Sequence, residues 1–140
     1  MNVLVPLDGS PLAEKSLTYA LDTHPRATFT LLYVVDPVEA IYVAETEGLA
    51  KGRSFVAAAR DRGTEICESG AALAADRDVS VTTVIETGNP AREILAYADT
   101  HDVDAIVMGS HGRDRLSQVF LGSTAETVVH RSSVPVTVVR

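Results

Sequence analysis

The feature that most limits the fold is an alternation. Five short apolar runs, at residues 3–7, 28–35, 79–86, 103–108 and 134–139, are separated by segments whose apolar residues recur at helical spacing. A helical crossover returns the chain to the same end of a sheet, so strands joined this way run parallel, with right-handed connections. The run Thr-Phe-Thr-Leu-Leu-Tyr-Val-Val (28–35) is apolar nearly throughout, as a strand covered on both faces must be. The expected fold class is therefore α/β: an open five-stranded parallel sheet with helices on both faces, in one domain over residues 1–140.

Local signals place the helices. Ser10-Pro11 and Asn89-Pro90 each read as an N-cap followed by proline in the first turn, starting helices that run to about residues 24 and 100. Residues 49–75 are Ala-rich and charged, with Phe55, Ala58, Ala59, Arg62, Ile66 and Leu73 near one stripe. They read as a long amphipathic helix that Gly52, Gly63 and Gly70 weaken. Residues 36–48, with Pro37 and the acids around Glu45 and Glu47, read as a loop or the start of a mobile helix. Residues 79–86 alternate and suggest an edge strand, and residues 123–131 a final helix with Ala125, Val128 and Val129 inward.

Composition excludes several classes. There are 19 Asp plus Glu against 12 Lys plus Arg, a net charge of −7, so nucleic acid is not expected as a partner, since that affinity rests on neutralising phosphates. Only two of the basic residues are lysine, a composition suited to high-salt solvent. The single cysteine, Cys67, cannot form an internal disulfide and is expected to be buried in a helix. No run approaches the roughly 18 apolar residues of a membrane helix. The first residues read as a strand rather than a signal peptide, so no membrane association and a cytoplasmic location are expected.

In open parallel sheets ligands bind beyond the carboxyl ends of the strands, where the strand order reverses. Asp8 follows the first strand, Val35-Asp36 ends the second, and Gly109-Ser110-His111-Gly112 follows the fourth. Gly122-Ser123-Thr124 then opens the last helix. Glycine lets backbone N–H groups approach a phosphate, and a helix start adds unpaired donors and a partial positive charge. Arg113 and Arg115 would supply local positive charge in an acidic protein. Each feature also has a plainer reading: glycines as turn residues, Ser123 as a cap, Asp8 as a turn acceptor. No G-x-x-x-x-G-K-[ST], no G-x-G-x-x-G after the first strand, no H-E-x-x-H and no G-x-S-x-G occurs.

Taken together these segments resemble the universal stress protein family. They are Pro6-Leu7-Asp8-Gly9-Ser10, Gly88-Asn89-Pro90-Ala91, Ile106-Val107-Met108-Gly109-Ser110-His111-Gly112-Arg113, Gly122-Ser123-Thr124-Ala125-Glu126 and Val134-Pro135-Val136-Thr137-Val138-Val139. The spacing G-x₂-G-x₉-G-[ST] is met without gaps. The resemblance implies a Rossmann-like adenine-nucleotide fold with strand order 3-2-1-4-5. It implies ATP, or ADP or AMP, as ligand, with Mg²⁺ or Mn²⁺ on the phosphates. By the same resemblance Pro6 and Asp8 flank adenine and ribose, and Val35 offers backbone groups to the base edge. Gly109, Ser110, His111, Gly112, Arg113, Arg115, Gly122, Ser123 and Thr124 hold ribose and phosphates. It further implies a homodimer through the last strand, residues 134–139, where Val134, Val136 and Val138 would make an apolar edge. Residues 36–48 match no family pattern.

The expected function is an ATP-binding stress-response or signalling module; the alternative is a slow ATPase or autophosphorylating enzyme on the same fold. His111 is the only candidate general base near the phosphates, which favours binding over catalysis. A phospho-acceptor receiver domain needs paired acids after the first strand and a lysine after the fifth; Asp8 is single and the chain ends Val139-Arg140.

Overall fold

The computed structural model describes residues 1–111 and 121–140. The elements are β1 (Asn2–Leu7), α1 (Pro11–Thr23), β2 (Thr28–Val35), α2 (Val38–Glu47), α3 (Leu49–Ala75), β3 (Val81–Thr87), α4 (Pro90–Thr100), β4 (Ala105–Gly109), α5 (Ser123–Arg131) and β5 (Val136–Val139). Both cap-and-proline starts hold. Ser10 Oγ accepts the Ala13 N–H at 3.2 Å and Asn89 Oδ1 accepts the Arg92 N–H at 3.0 Å, each satisfying a donor that the helix start leaves unpaired.

The strands form one parallel sheet in the order β3-β2-β1-β4-β5. Val3 pairs with Phe29 on one side and Ala105 on the other, so β1 is central and the chain crosses over it to reach β4. The two-residue period of the strands sorts their side chains between two cores. Val3, Val5, Leu7, Leu31, Tyr33 and Val35 pack under α1 and α3, with Leu17, Cys67 and Ala74. Leu4, Leu32, Ile106 and Met108 pack under α4 and α5, with Ile94 and Val128. β1, β2 and β4 are buried on both faces, which is why they read as apolar runs rather than alternations. β3 is an edge, as expected, and its Val81 and Ile85 lean on one core while Val84 leans on the other.

Four expectations need correction. Of the two readings of residues 36–48, loop or helix start, the loop fails: they hold the ten-residue helix α2. Asp36 Oδ1 accepts the Val38 N–H at 3.1 Å at its start, and the helix packs the Ala44 side chain and the Ala40 carbonyl against Gly52 of α3. The glycines of α3 are not weaknesses but its contact face. A Cβ at Gly63 would sit inside the Tyr33 ring, and one at Gly70 would come within 2.8 Å of Leu31 Cδ1. The helix lies on β2 at a distance only glycine permits, and the backbone freedom given up is offset by close packing over a long face. Phe55 and Arg62, assigned from spacing to the inward stripe, are instead exposed. The last two strands are also shorter than expected. Pro135 lies just before β5, yet its carbonyl still accepts the Ile106 N–H at 2.9 Å.

Candidate functional site

The chain departs from β1 toward β2 and β3 on one side and toward β4 and β5 on the other. The connections leaving the carboxyl ends of β1 and β4 therefore diverge, and a crevice opens between them. It is a cleft of about 1160 Å³ that takes its walls from β1 (Pro6, Leu7), β2 (Leu32 to Val35), β4 (Met108, Gly109) and the first turn of α5.

Eight residues singled out from the sequence line it: Pro6, Asp8, Val35, Gly109, His111, Gly122, Ser123 and Thr124. Asp8 holds its own turn, Oδ1 accepting the Ser10 N–H at 2.9 Å, and Oδ2 takes no part in that bond. The turn also needs Gly9, whose φ of +84° belongs to the left-handed region. The Val35 carbonyl accepts the Gly88 N–H at 2.8 Å, so part of that backbone is already engaged. Gly109 lets the start of α1 approach β4, because a Cβ there would lie 3.2 Å from Leu12.

The polar end is built from two turns that touch. The Gly122 N–H donates to the Ser110 carbonyl at 2.7 Å, and a Cβ on Gly122 would meet His111 Cα at 3.2 Å. The Ser110 N–H donates to the Val139 carbonyl at 2.8 Å, which anchors the turn to β5. Ser110 itself is buried and does not line the cleft; its Oγ lies 3.1 Å from His111 Nδ1. His111 is 8% exposed, and its Nε2 is buried with no hydrogen-bond partner among the described residues. Leaving such a nitrogen unpaired costs roughly 1–3 kcal/mol, a cost that a polar ligand bonded to it would remove. Gly122, at the N-cap of α5, provides no side chain to bond the first-turn N–H groups, and Ser123, Thr124 and Ala125 follow it along the cleft wall. Those donors and the helix dipole suit an anion. Gly112, Arg113 and Arg115 lie outside the described residues.

The other end is apolar with a charged rim. Val38, Glu39, Phe55, Ala59 and Arg62 of α2 and α3 face Pro90, Ile94 and Met108 across it. Sequence reasoning did not assign the α3 residues Phe55, Ala59 and Arg62 to this wall. Its available signal was Arg62, a charged residue recurring within an otherwise small and apolar helical stripe. Cys67 is buried in α3 away from the cleft lining, and burial pushes its thiol up to about 11, so it stays protonated and unreactive at neutral pH.

The universal stress protein family model matches residues 1–140. The chain belongs to the universal stress protein family. Universal stress protein YxiE of Bacillus subtilis is 31% identical over 99% of this chain and 97% of its own length. The structure of universal stress protein UspA from Lactobacillus plantarum superposes with a TM-score of 0.87 at 30% identity, covering 100% of this chain and 97% of that one. The universal stress protein MJ0577 of Methanocaldococcus jannaschii gives a TM-score of 0.85 at 30% identity, covering 99% and 94%. Residues 36–48, which matched no family pattern in the sequence, lie within the range the family model matches. Among the described residues no helix is long and apolar enough to cross a membrane.

Proposed function

We propose that this universal stress protein binds an adenine nucleotide in the cleft between β1 and β4 and acts as a nucleotide-dependent stress-response module. The observation that carries the reading is the pair of touching glycine turns beside the uncapped start of α5, with the buried, unpartnered His111 Nε2 next to them. These donors suit an anion at one end of a cleft whose other end is lined by Val38, Phe55, Ala59 and Ile94, apolar surface that suits the faces of a base. More distant members of the fold support the ligand class: a universal stress protein from Archaeoglobus fulgidus is described in complex with dAMP, and an Arabidopsis thaliana family protein with AMP bound.

In this reading Ser123, Thr124 and the first-turn N–H groups of α5 hold phosphate oxygens, His111 Nε2 donates to one of them, and Asp8 Oδ2 takes a ribose hydroxyl. Arg113 and Arg115 add charge from the intervening segment. Pro6 and the Val35 region border the base. No group of three or more His, Cys, Asp or Glu among the described residues is arranged to hold a metal ion. A divalent ion, when present, would be carried by the phosphates, where it neutralises charge in a protein of net −7.

Calorimetric titration with ATP, ADP and AMP tests the reading. Asp8→Asn keeps the acceptor that the Ser10 N–H needs but removes the charge, and is expected to weaken binding about ten-fold with an unchanged melting temperature. Equal affinity in the variant and the parent would remove Asp8 from the site, and no heat with any of the three nucleotides would remove the reading. Steady conversion of ATP to ADP by the purified chain would move it to the enzyme class.

We also infer a homodimer through β5. The carbonyls of Pro135 and Val139 face β4, so by the alternation of a parallel strand Val136 and Val138 direct their N–H and C=O groups outward from the sheet edge. Val138→Pro deletes one outward donor without removing a bond to β4, and should halve the mass read by light scattering. An unchanged mass would rule the edge out.

A further inference from the structure

Eight large apolar side chains are exposed among the described residues, and five of them, Val38, Ile41, Tyr42, Leu49 and Phe55, fall in one α2–α3 hairpin. Val38, Tyr42 and Leu49 are each at least 67% exposed. Val38, Ile41 and Tyr42, at i, i+3 and i+4, share one face of α2, turned away from the Ala44 that packs on Gly52; Val38 is where this face meets the cleft, and Ile41 and Tyr42 lie beyond it. A helix of a folded chain normally turns its apolar stripe inward; this one turns its smallest side chains inward and its largest outward. Such a patch marks an interaction site.

Charge decides what covers it. Residues 36–50 carry Asp36, Glu39, Glu45 and Glu47 and no lysine, arginine or histidine. All four acids are exposed; Lys51, the first cation after this stretch, meets Glu47 across 3.4 Å in a solvent-exposed pair, and Asp36 Oδ1 accepts the Val38 N–H at the helix start. Glu39 and Glu45 are left beside the outer face, and two copies packed through it would bring these carboxylates against their counterparts, which like-charge repulsion opposes. Anionic lipid is opposed for the same reason. A straight helical stripe bordered by carboxylates matches an amphipathic helix with leucine-like residues on one face and lysine or arginine beside them.

We propose that the outer face of α2, with Leu49, docks a cationic amphipathic helix of another protein. The inference does not depend on the nucleotide reading. The probe is a synthetic peptide of about 18 residues with leucine on one face and lysine on the other, compared with a scrambled peptide of the same composition. Binding is followed by fluorescence anisotropy. The amphipathic peptide is expected to bind at least about ten-fold tighter than the scrambled one, and Ile41→Ser/Tyr42→Ser/Leu49→Ser to remove that preference. Glu45→Lys supplies a second arm, lowering affinity while leaving the apolar stripe intact. Equal binding of the two peptides, or an unchanged preference in the triple variant, would overturn the proposal. A fall in the parent chain's mass on making the triple variant would overturn it in favour of a second copy. Capture by phosphatidylglycerol vesicles that the triple variant loses would overturn it in favour of a membrane.

Discussion

α2 and α3 are neighbours joined at Gly48, whose φ of +104° turns one helix back against the other, yet they meet the rest of the molecule in opposite ways. α3 buries small residues, Gly52, Gly63, Cys67, Gly70 and Ala74; at Gly63 and Gly70 β2 approaches too closely for a side chain, and at Gly52 α2 does. α2 buries only Ala40 and leaves its large apolar residues in solvent. The difference teaches that side-chain size, not hydrophobicity alone, decides which face of a helix turns inward. Where backbones nearly touch, the inward stripe is small; where a helix lies on an outer layer, the large residues remain for something else.

The contrast can be broken at the inward face of α3. Gly63→Val places a branched side chain in the Tyr33 ring and should destabilise the chain by more than about 3 kcal/mol in urea denaturation, or prevent folding. A loss under about 1 kcal/mol would mean the helix can lift from β2 at little cost. Gly52→Leu pushes only on Ala44 and the Ala40 carbonyl, so it should cost about 1–3 kcal/mol and show as faster amide exchange confined to α2. Ser10→Ala removes the cap of a different helix, α1, and should cost about 1 kcal/mol in the same assay, which sets the scale for a local defect. Ile41→Ser, on the outer face, should change stability by no more than about 0.5 kcal/mol; a larger loss would show that the outer face is packed after all.

The cysteine on the inward face gives a pH signature. Burial raises its thiol from 9.0 to about 11, so the folded state keeps a proton that the unfolded state releases. That contribution is fully present below pH 9 and is lost as pH climbs through 9 toward 11. Cys67→Ala should therefore flatten the fall of stability across that window. An identical slope in the two chains would show that the thiol is solvated.

The legibility of the chain follows the same division. The parallel sheet and the two capped helices were readable because runs such as Thr28–Val35 and pairs such as Ser10-Pro11 act locally, whereas the 3-2-1-4-5 order came from the family resemblance, since no local signal says which strands lie side by side. The cleft's polar end was readable because Asp8, Gly109, His111 and Gly122 stand immediately after strands or before a helix. The role of Gly63 was not, because a glycine required by a neighbouring Tyr33 looks in sequence like a glycine that weakens a helix. Nor was α2, whose apolar residues do not mark a buried face and whose stability rests on small contacts with another helix. Ser110 was drawn into the site by its position in the glycine turn, although its hydroxyl turns to His111 and its N–H to Val139.

The pairing of β1 with β4 has a consequence for how the molecule comes into being. The Asn2 N–H bonds the Asp104 carboxylate across 102 positions of chain, and Val3 lies beside Ala105. Loop-closure entropy opposes such distant pairing until much of the intervening chain is ordered, and topologies rich in it fold slowly. During synthesis β1, β2 and β3 leave the ribosome as a half-sheet whose central strand has one bare edge, and the crevice beside that edge does not exist until β4 arrives. The cleft gains its last walls only with β4 and the first turn of α5, so a nascent chain that stops short of Ala125 lacks part of its lining.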